Sequence, residues 1–230
     1  MRHVLAVGAH PDDIELGCAG SLAAHRSVGD KVTMLVLTDG HNGPGQTSLR
    51  HPEQQRAAAV LDAELIWTGL PDCALVPDSA LVRVIENAIR ATDADIVYVH
   101  APDDSHQDHR AACAATMSAA RMTSRLLHYR SPSTTVFNAT VFVDIGEHLE
   151  TKLAALACHA SQIEGSMMVD PVVVEAAARY FGALARVSHA EAFASTRFVW
   201  DLRPAGRWSH LPAKRAAPQA VPPPRTAKVR

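Results

Sequence analysis

Short apolar runs alternate with longer alanine-rich stretches over the first two-thirds of the chain. The apolar runs are nearly continuous and rich in Val, Ile and Leu, which is typical of strands buried on both faces of a parallel sheet. The stretches between them have the length and composition of helices. The predicted strands are 4–7, 32–37, 65–67, 96–99 and 126–129, and the predicted helices are 17–28, 52–61, 79–91 and 108–122.

The pattern is looser after Pro132, where we expect an alternating strand at 140–145, helices at 147–159 and 172–187, and a last strand at 196–200. No internal repeat or linker divides this body. We therefore predict an α/β fold at 1–201, a single Rossmann-like domain with a mainly parallel sheet and helices on both faces. Residues 202–230 form a basic, Pro-rich C-terminal tail, which we expect to be flexible.

Composition and charge limit which partners and which cellular location we expect for this protein. The 230 residues are 47% hydrophobic, enough for one sizeable core. Seven of the 22 Lys and Arg residues but none of the 24 Asp and Glu residues follow Leu202, so the body carries a net charge of about −9. An acidic body argues against a nucleic-acid partner. The four cysteines form no C-x-x-C pair, and no apolar run is long enough for a signal peptide or a membrane span. We expect a cytoplasmic protein without a membrane partner, and a homo-oligomer stays open.

Two segments carry His and Asp where a predicted strand ends. The first is Ala9-His10-Pro11-Asp12-Asp13, after strand 4–7, and the second is Asp104-Ser105-His106-Gln107-Asp108-His109, after strand 96–99. In an open parallel sheet, ligands bind beyond the carboxyl ends of the strands, so these loops should meet at one edge. Zinc prefers nitrogen and carboxylate donors and keeps one position for water in catalytic sites. The spacing leaves open which groups bind metal and which face substrate.

Hydrolysis with a metal also needs a base and a group that stabilises the oxyanion. One of Asp12 and Asp13 can bind the ion while the other accepts a proton from water, because neighbours on an extended loop point in different directions. A second imidazole can stabilise the oxyanion, and Asp108 could hold that ring protonated and oriented. Gly17 and Gly20 could instead suggest a phosphate loop, but their spacing matches no known phosphate-binding fingerprint.

The chain resembles a known family at several of these positions. The segment from Gly8 to Gly20 closely resembles the opening motif of the zinc-dependent N-acetylglucosaminyl deacetylases, the LmbE-like or PIG-L family. The resemblance extends over about residues 3 to 200. It continues through Arg50-His51-Pro52-Glu53, His106-Gln107-Asp108-His109-Arg110, Val143-Asp144-Ile145, Lys152 and His159-Ala160-Ser161-Gln162.

The resemblance implies a role for each candidate residue. The implied ligands of one zinc ion per chain, with Fe²⁺ as an alternative, are His10, Asp13 and His109. Asp12 is implied to be the general base, which later protonates the leaving amine. His106 is implied to polarise the acetyl carbonyl, and Asp108 to tune it.

The substrate contacts are implied less directly. Arg50 matches a position near the substrate in the family, where it would donate hydrogen bonds to sugar or carboxylate oxygens. His41 stands in a loop where the family commonly has an acidic residue, and we predict that it also contacts substrate.

We therefore expect a zinc hydrolase that removes the acetyl group from an N-acetylated amino sugar within a glycoside, thiol precursor or antibiotic intermediate. The bond that it hydrolyses would be a linear amide and not a peptide bond. Two alternatives come from other classes. One is a non-catalytic sugar-binding homologue, and the other is a phospho-acceptor receiver-like domain, which also has paired acidic residues after its first strand.

Overall fold

A computed structural model describes residues 1–164 and 167–201. Residues Met1–Val199 form one compact unit. The predicted tail, 202–230, lies outside the described residues, so its boundary stays a prediction. Within the described ranges, no helix has the length and apolar character that a bilayer crossing requires.

The core of the fold is a seven-stranded sheet with the order β3-β2-β1-β4-β5-β7-β6. Strands β1 to β5 run parallel, whereas β7 is antiparallel to both β5 and β6. This confirms the predicted α/β fold with a mainly parallel sheet. The strands are β1 (His3–Gly8), β2 (Lys31–Thr38), β3 (Glu64–Leu70), β4 (Ile96–His100), β5 (Arg125–Tyr129), β6 (Val141–Asp144) and β7 (Ala190–Phe198).

Helices cover both faces of the sheet, as predicted. On one face of the sheet, Val4 and Ala6 of β1 belong to an apolar cluster with side chains of α1, α2 and α5. On the other face, Leu5 and Val7 belong to a second cluster with side chains of α3 and α4. This division follows from the two-residue period of a strand. The helices are α1 (Asp13–Ser27), α2 (Thr47–Val60), α3 (Ser79–Thr92), α4 (Gln107–Ala119), α5 (Leu149–Ala157), α6 (Ala160–Ile163) and α7 (Pro171–Ala185), with 3₁₀ turns at Gly146–His148 and Met167–Val169.

Three element boundaries differ from the prediction by four residues or more. Helix α1 begins at Asp13, four residues earlier than expected, and its first turn carries acidic side chains that suit a helix N-terminus. Helix α2 begins before Pro52 and includes it, although proline removes a backbone hydrogen bond. Strand β7 begins at Ala190. Its first residues, Ala and Glu, have low strand propensity, which hid this half of the strand from the sequence pattern.

Gly17 lies within α1, where it allows the helix to approach the sheet closely. A Cβ atom at this position would lie 2.2 Å from Cδ2 of Tyr129. A Cβ atom at Gly20 would similarly lie 2.9 Å from the side chain of Ile145. The two glycines therefore serve helix–sheet packing, and the phosphate-loop interpretation of their spacing is wrong.

The order of the strands brings the two candidate segments together. The chain passes from β1 outward to β2 and β3, whereas β4 lies on the other side of β1. The loops after β1 and β4 therefore diverge from adjacent strands at the carboxyl edge of the sheet. This is the crevice in which open α/β sheets bind ligands.

Candidate active site

One cavity of about 250 Å³ lies at this carboxyl edge. Its walls come from the loops after β1, β2, β3 and β4, together with α2 and the residues around α6. Most of the predicted site residues converge here. Those that line the cavity are His10, Asp12, Asp13, Arg50, His106 and His109.

The three predicted metal ligands converge at one point of the cavity. Nδ1 of His10 lies 3.3 Å from Nε2 of His109, which in turn lies 3.3 Å from Oδ1 of Asp13. The other oxygen of Asp13, Oδ2, lies 3.3 Å from Nδ1 of His10. Tetrahedral zinc with donors at about 2.0–2.1 Å holds them about 3.3–3.4 Å from one another. The two imidazole nitrogens therefore have the spacing of donors to one ion, and a different oxygen of Asp13 faces each of them.

The opposite ring nitrogen of each imidazole faces a carboxylate. Nε2 of His10 lies 3.0 Å from Asp72 and 3.3 Å from Asp108, and Nδ1 of His109 lies 3.2 Å from Asp104. Histidines that bind metals commonly donate their second N–H to a carboxylate, which fixes the tautomer and the orientation of the ring. This arrangement is a second, independent fit to a metal site.

Asp104 is itself held by several donors. Its carboxylate accepts hydrogen bonds from the hydroxyls of Ser131 and Ser133, each at 2.6 Å, and from the backbone N–H of His106 at 2.8 Å. Burial acts to raise the pKa of Asp104, but hydrogen bonds from His109 and the two serines hold it far below the usual range. Asp104 therefore stays ionised and fixes the His109 ring.

The carboxylates around the centre favour positive charge there. Burial acts to lower the pKa of His10, but hydrogen bonds with Asp108, Asp13 and Asp72 raise it to about 12. Burial also acts to lower the pKa of His109, but the negative charge of Asp13 raises it to about 9. The site thus has an excess of negative charge suited to binding a cation.

His100 lies beneath the centre and is fully buried. Its Nε2 is 3.1 Å from Oδ2 of Asp13, and its ring stacks on that of His109 at a centroid distance of 3.9 Å. Burial and the charge of His109 lower the pKa of His100 to about 4. Among the described residues, donor atoms within 4.8 Å of one another occur in three groups around this centre: His10, His106 and His109; Asp13, His100 and His109; and His10, Asp72 and Asp108.

Asp12 adopts a left-handed backbone conformation, with φ of 93°, immediately before α1. Such a conformation costs a non-glycine residue about 1–3 kcal/mol and is concentrated at functional sites. Its N–H donates to Oε1 of Gln54 at 3.4 Å, and its carbonyl accepts from the N–H of Leu16 at 2.9 Å. The Asp12 and Asp13 side chains diverge because of this turn, and not because the segment is extended, as the sequence suggested.

The Asp12 carboxylate is strongly perturbed. Burial, followed by the negative charge of Asp13, raises its pKa to about 7. The side chain lines the cavity beside the proposed ligands but makes no hydrogen bond that would fix it to them. Asp12 therefore has the position and the chemistry of a base next to the centre.

His106 precedes α4 and caps it. The backbone N–H of Asp108 donates to Nδ1 of His106 at 3.2 Å. In the neutral ring, the proton therefore resides on Nε2. Burial and the positive charges of His10 and His109 lower the pKa of His106, which favours this neutral form with one N–H donor.

Asp108 does not orient the His106 ring through its carboxylate, which corrects the sequence-based prediction. The carboxylate accepts from the backbone N–H groups of Cys73 at 2.7 Å and Leu75 at 3.1 Å, and it faces His10. Side chains two residues apart at a helix start do not face each other. Asp108 thus holds a proposed metal ligand and the loop after β3.

The two predicted substrate contacts have different surroundings. Arg50 is buried, and its Nη2 donates to the carbonyl of Pro11 at 3.2 Å, while Nε and Nη1 have no partner among the described residues. These spare donors support the predicted contact with substrate. His41 is exposed, pairs with Asp39 at 2.8 Å and does not line the cavity. Its predicted role has no support from this geometry, because its side chain is exposed while Asn42, Gly43 and Pro44 of the same loop line the cavity.

Sequence reasoning gave no role to Asp72 or Asp104. Asp72 follows β3 by two residues, and Asp104 stands two residues before His106. Their position at strand ends on the same edge was the signal that could have found them. The sequence could not predict which ring nitrogen each carboxylate would contact.

Comparisons with known proteins place the chain in a family. The family model described as PIG-L: GlcNAc-PI de-N-acetylase matches residues 5–120. The uncharacterized deacetylase YaiS of Escherichia coli K12 is 39% identical over 170 residues, which cover 70% of this chain and 91% of YaiS. The diacetylchitobiose deacetylase of Thermococcus kodakarensis is 28% identical over 188 residues, which cover 70% of each protein.

A solved structure extends the likeness to the whole fold. The conserved protein TT1542 from Thermus thermophilus superposes with a TM-score of 0.80 at 28% identity. The match covers 88% of this chain and 98% of that protein. The match in fold and the family model therefore agree with the resemblance carried by the His and Asp motifs. The chain belongs to the PIG-L, or LmbE-like, family of deacetylases.

Proposed function

We propose that this chain is a zinc-dependent N-deacetylase that removes the acetyl group from an N-acetylated amino sugar of the N-acetylglucosamine type. One observation carries the proposal. The ring nitrogens of His10 and His109 lie 3.3 Å apart, each lies 3.3 Å from an oxygen of Asp13, and Asp12 and His106 line the same cavity. The similarity to a diacetylchitobiose deacetylase supports an amino sugar as the substrate class.

His10, Asp13 and His109 would hold one zinc ion, because two imidazole nitrogens and a carboxylate are donors that catalytic zinc sites use. A zinc ion held there supplies a Lewis acid that polarises the acyl oxygen and lowers the pKa of a water molecule. Asp72, Asp104 and Asp108 would keep the two imidazoles oriented toward it.

Asp12 would carry the proton transfers. Its carboxylate accepts a proton from the attacking water as the water oxygen bonds to the acyl carbon. The carbon–nitrogen bond then breaks, and the protonated Asp12 returns that proton to the leaving nitrogen. The products are acetic acid and the free amine, which at neutral pH are acetate and the ammonium form of the amino sugar, so atoms and charge balance without any further reactant.

His106 and Arg50 would act on the substrate's oxygens. The Nε2–H of His106 donates to the acyl oxygen as negative charge develops on it, which a neutral donor can do without a change of protonation state. The unpaired donors of Arg50 can hold a sugar hydroxyl or carboxylate at the other side of the cavity.

The two alternatives from the sequence are weaker. A receiver-like domain needs none of the three imidazoles at the centre, and the family assignment places the chain elsewhere. A sugar-binding protein without chemistry has no use for a strained Asp12 beside the proposed ligands.

The test is a panel of N-acetylglucosamine and its glycosides, incubated with the zinc-loaded protein. Liberated primary amine and acetate are both measured, and we expect them in equal amounts. Replacing Asp12 by Ala should leave zinc content unchanged and lower kcat/KM by about 10²–10⁴-fold. Replacing His109 by Ala should remove zinc and activity together.

The matched control is Asp103→Ala, since Asp103 is an exposed carboxylate on the same loop as Asp104. It should retain zinc and activity. Full activity in the Asp12 variant would refute the assigned base. Release of amine without acetate, or of neither from any member of the panel, would contradict the proposed reaction.

A further inference from the structure

A second cavity, of about 340 Å³, lies beside the candidate active site. Its walls are α1, α5, α7, β7 and the turn at Met167–Val169. Leu16, Pro132 and Met168 line both cavities, so the two are adjacent and share these three side chains as a boundary. The second cavity is therefore the space next to a molecule held in the first.

The wall that α7 contributes is apolar. Val173, Ala177 and Phe181 face the cavity from this helix. Exposed hydrophobic side chains continue around its rim, including Met167 at 90% exposure and Val172 at 72%. Single exposed apolar side chains are common on protein surfaces. A cluster of large ones beside a cavity instead indicates a binding surface.

The charged groups at the floor of this cavity already have partners. Nζ of Lys152 lies 2.6 Å from Oε1 of Glu191 and donates to two backbone carbonyls, and Glu191 accepts from two backbone N–H groups. The floor therefore offers a ligand no unsatisfied charge, whereas the exposed Arg130 adds one charged side chain to the wall. The other lining residues are apolar, so the cavity selects an apolar group mainly by its walls.

We infer that this second cavity binds an apolar aglycone of the substrate whose acetamido sugar occupies the first cavity. This inference rests on the proposed function only in taking the sugar part of the substrate to lie in the first cavity. The volume is about twice that of a cavity, about 150 Å³, that holds one benzene ring. The occupant is therefore a short alkyl chain or a one- to two-ring apolar group. It is joined to the sugar at the side nearest Leu16 and Pro132.

The experiment compares binding of octyl and methyl glucosides by calorimetry, below the concentration at which the octyl compound forms micelles. Neither probe has an amide, so binding is measured without turnover and does not depend on deacetylase activity. Each methylene that becomes buried strengthens binding about four-fold. We expect the octyl compound to bind the zinc-loaded protein at least about ten-fold more tightly than the methyl compound.

Adjacent alanines of α7 provide the matched variants. Ala177 lines the cavity, whereas Ala176 is exposed outside it. Ala177→Glu should abolish the octyl preference, and Ala176→Glu should retain it. Ala177→Trp, which fills the cavity without adding charge, serves if Ala177→Glu does not fold.

The outcomes separate this inference from the proposed function. Equal binding of the two glucosides, or an octyl preference that survives both Ala177 variants, would overturn the apolar site. If the octyl preference depends on Ala177 but neither octyl nor methyl N-acetylglucosaminide releases amine, the apolar site stands and the proposed deacetylation fails. If both are hydrolysed, kcat/KM should favour the octyl compound about ten-fold or more in the wild type alone.

Discussion

Lys152 and Glu191 form a buried ion pair that joins α5 and β7 to α1, with 2.6 Å between Nζ and Oε1. The ammonium also donates to the carbonyls of Glu15 and Leu16, and the carboxylate accepts from the N–H of Gly20 and of the residue after it. Every charge is thus satisfied within one network. Because Asp13 is the first residue of α1, the pair anchors the helix that carries a proposed metal ligand.

Replacing Lys152 by Met should lower the free energy of unfolding by about 3–5 kcal/mol, because the Glu191 carboxylate stays buried without its partner. The double variant with Glu191→Leu should recover a large part of this loss, since a buried pair replaced by apolar residues is often neutral. Urea unfolding followed by circular dichroism measures both. Equal stability of the single and double variants would show that the pair does not act as a unit.

Replacing Asp104 by Asn should weaken zinc binding by about 10–100-fold while leaving the fold intact, because Asn is a poorer acceptor for the His109 ring than a carboxylate. Competition against a chromophoric chelator gives the zinc Kd. The control is Asp103→Asn, at the exposed neighbouring position, which should bind zinc like the wild type. An unchanged Kd in the Asp104 variant would remove its role in holding the metal site.

Removing the metal should lower thermal stability, because an ion that binds only the folded state stabilises it. At a zinc concentration 100 times its Kd this amounts to about 2.7 kcal/mol. Differential scanning calorimetry with zinc and with excess chelator should show a Tm difference in the wild type and none in His109→Ala. The same difference in both proteins would indicate zinc binding somewhere else.

Asp30 should contribute stability that depends on pH. Burial acts to raise its pKa, but hydrogen bonds from His25 at 2.8 Å and from the N–H of Arg2 at 2.7 Å hold it below the usual value. A lowered pKa in the folded state stabilises the protein fully above the unfolded value of about 3.9 and loses this effect as pH falls through the folded value.

Asp30→Asn should therefore be less stable than the wild type at pH 7, and the gap should close below about pH 4. Urea unfolding at pH 7, 5 and 3 checks this. A gap that stays constant across that range would show that the loss comes from packing and not from the charge of Asp30.

The tertiary structure decided how the candidate site is assembled in detail. The carboxylate of Asp108 contacts the ring of His10, 98 residues away, and not the ring of His106, which is only two residues away. Asp72 and Asp104 face imidazoles, although the sequence did not mark Asp72 and gave no role to Asp104 within the second His and Asp segment. His41 follows a strand on the correct edge yet faces solvent. These partners depend on how loops from different strands turn and pack, which no local pattern encodes.

The sequence by itself determined the class of fold and the edge at which the chemistry lies. Continuous apolar runs separated by helical stretches specify buried parallel strands, and His and Asp directly after two such runs must emerge at the same edge. The tertiary structure alone decided which atoms meet. It set the 3.3 Å spacing of the donor atoms, turned Asp12 into the cavity, and opened an apolar cavity between α1 and α7. Distances of this kind arise from packing between segments far apart in the chain, so local periodicity cannot fix them.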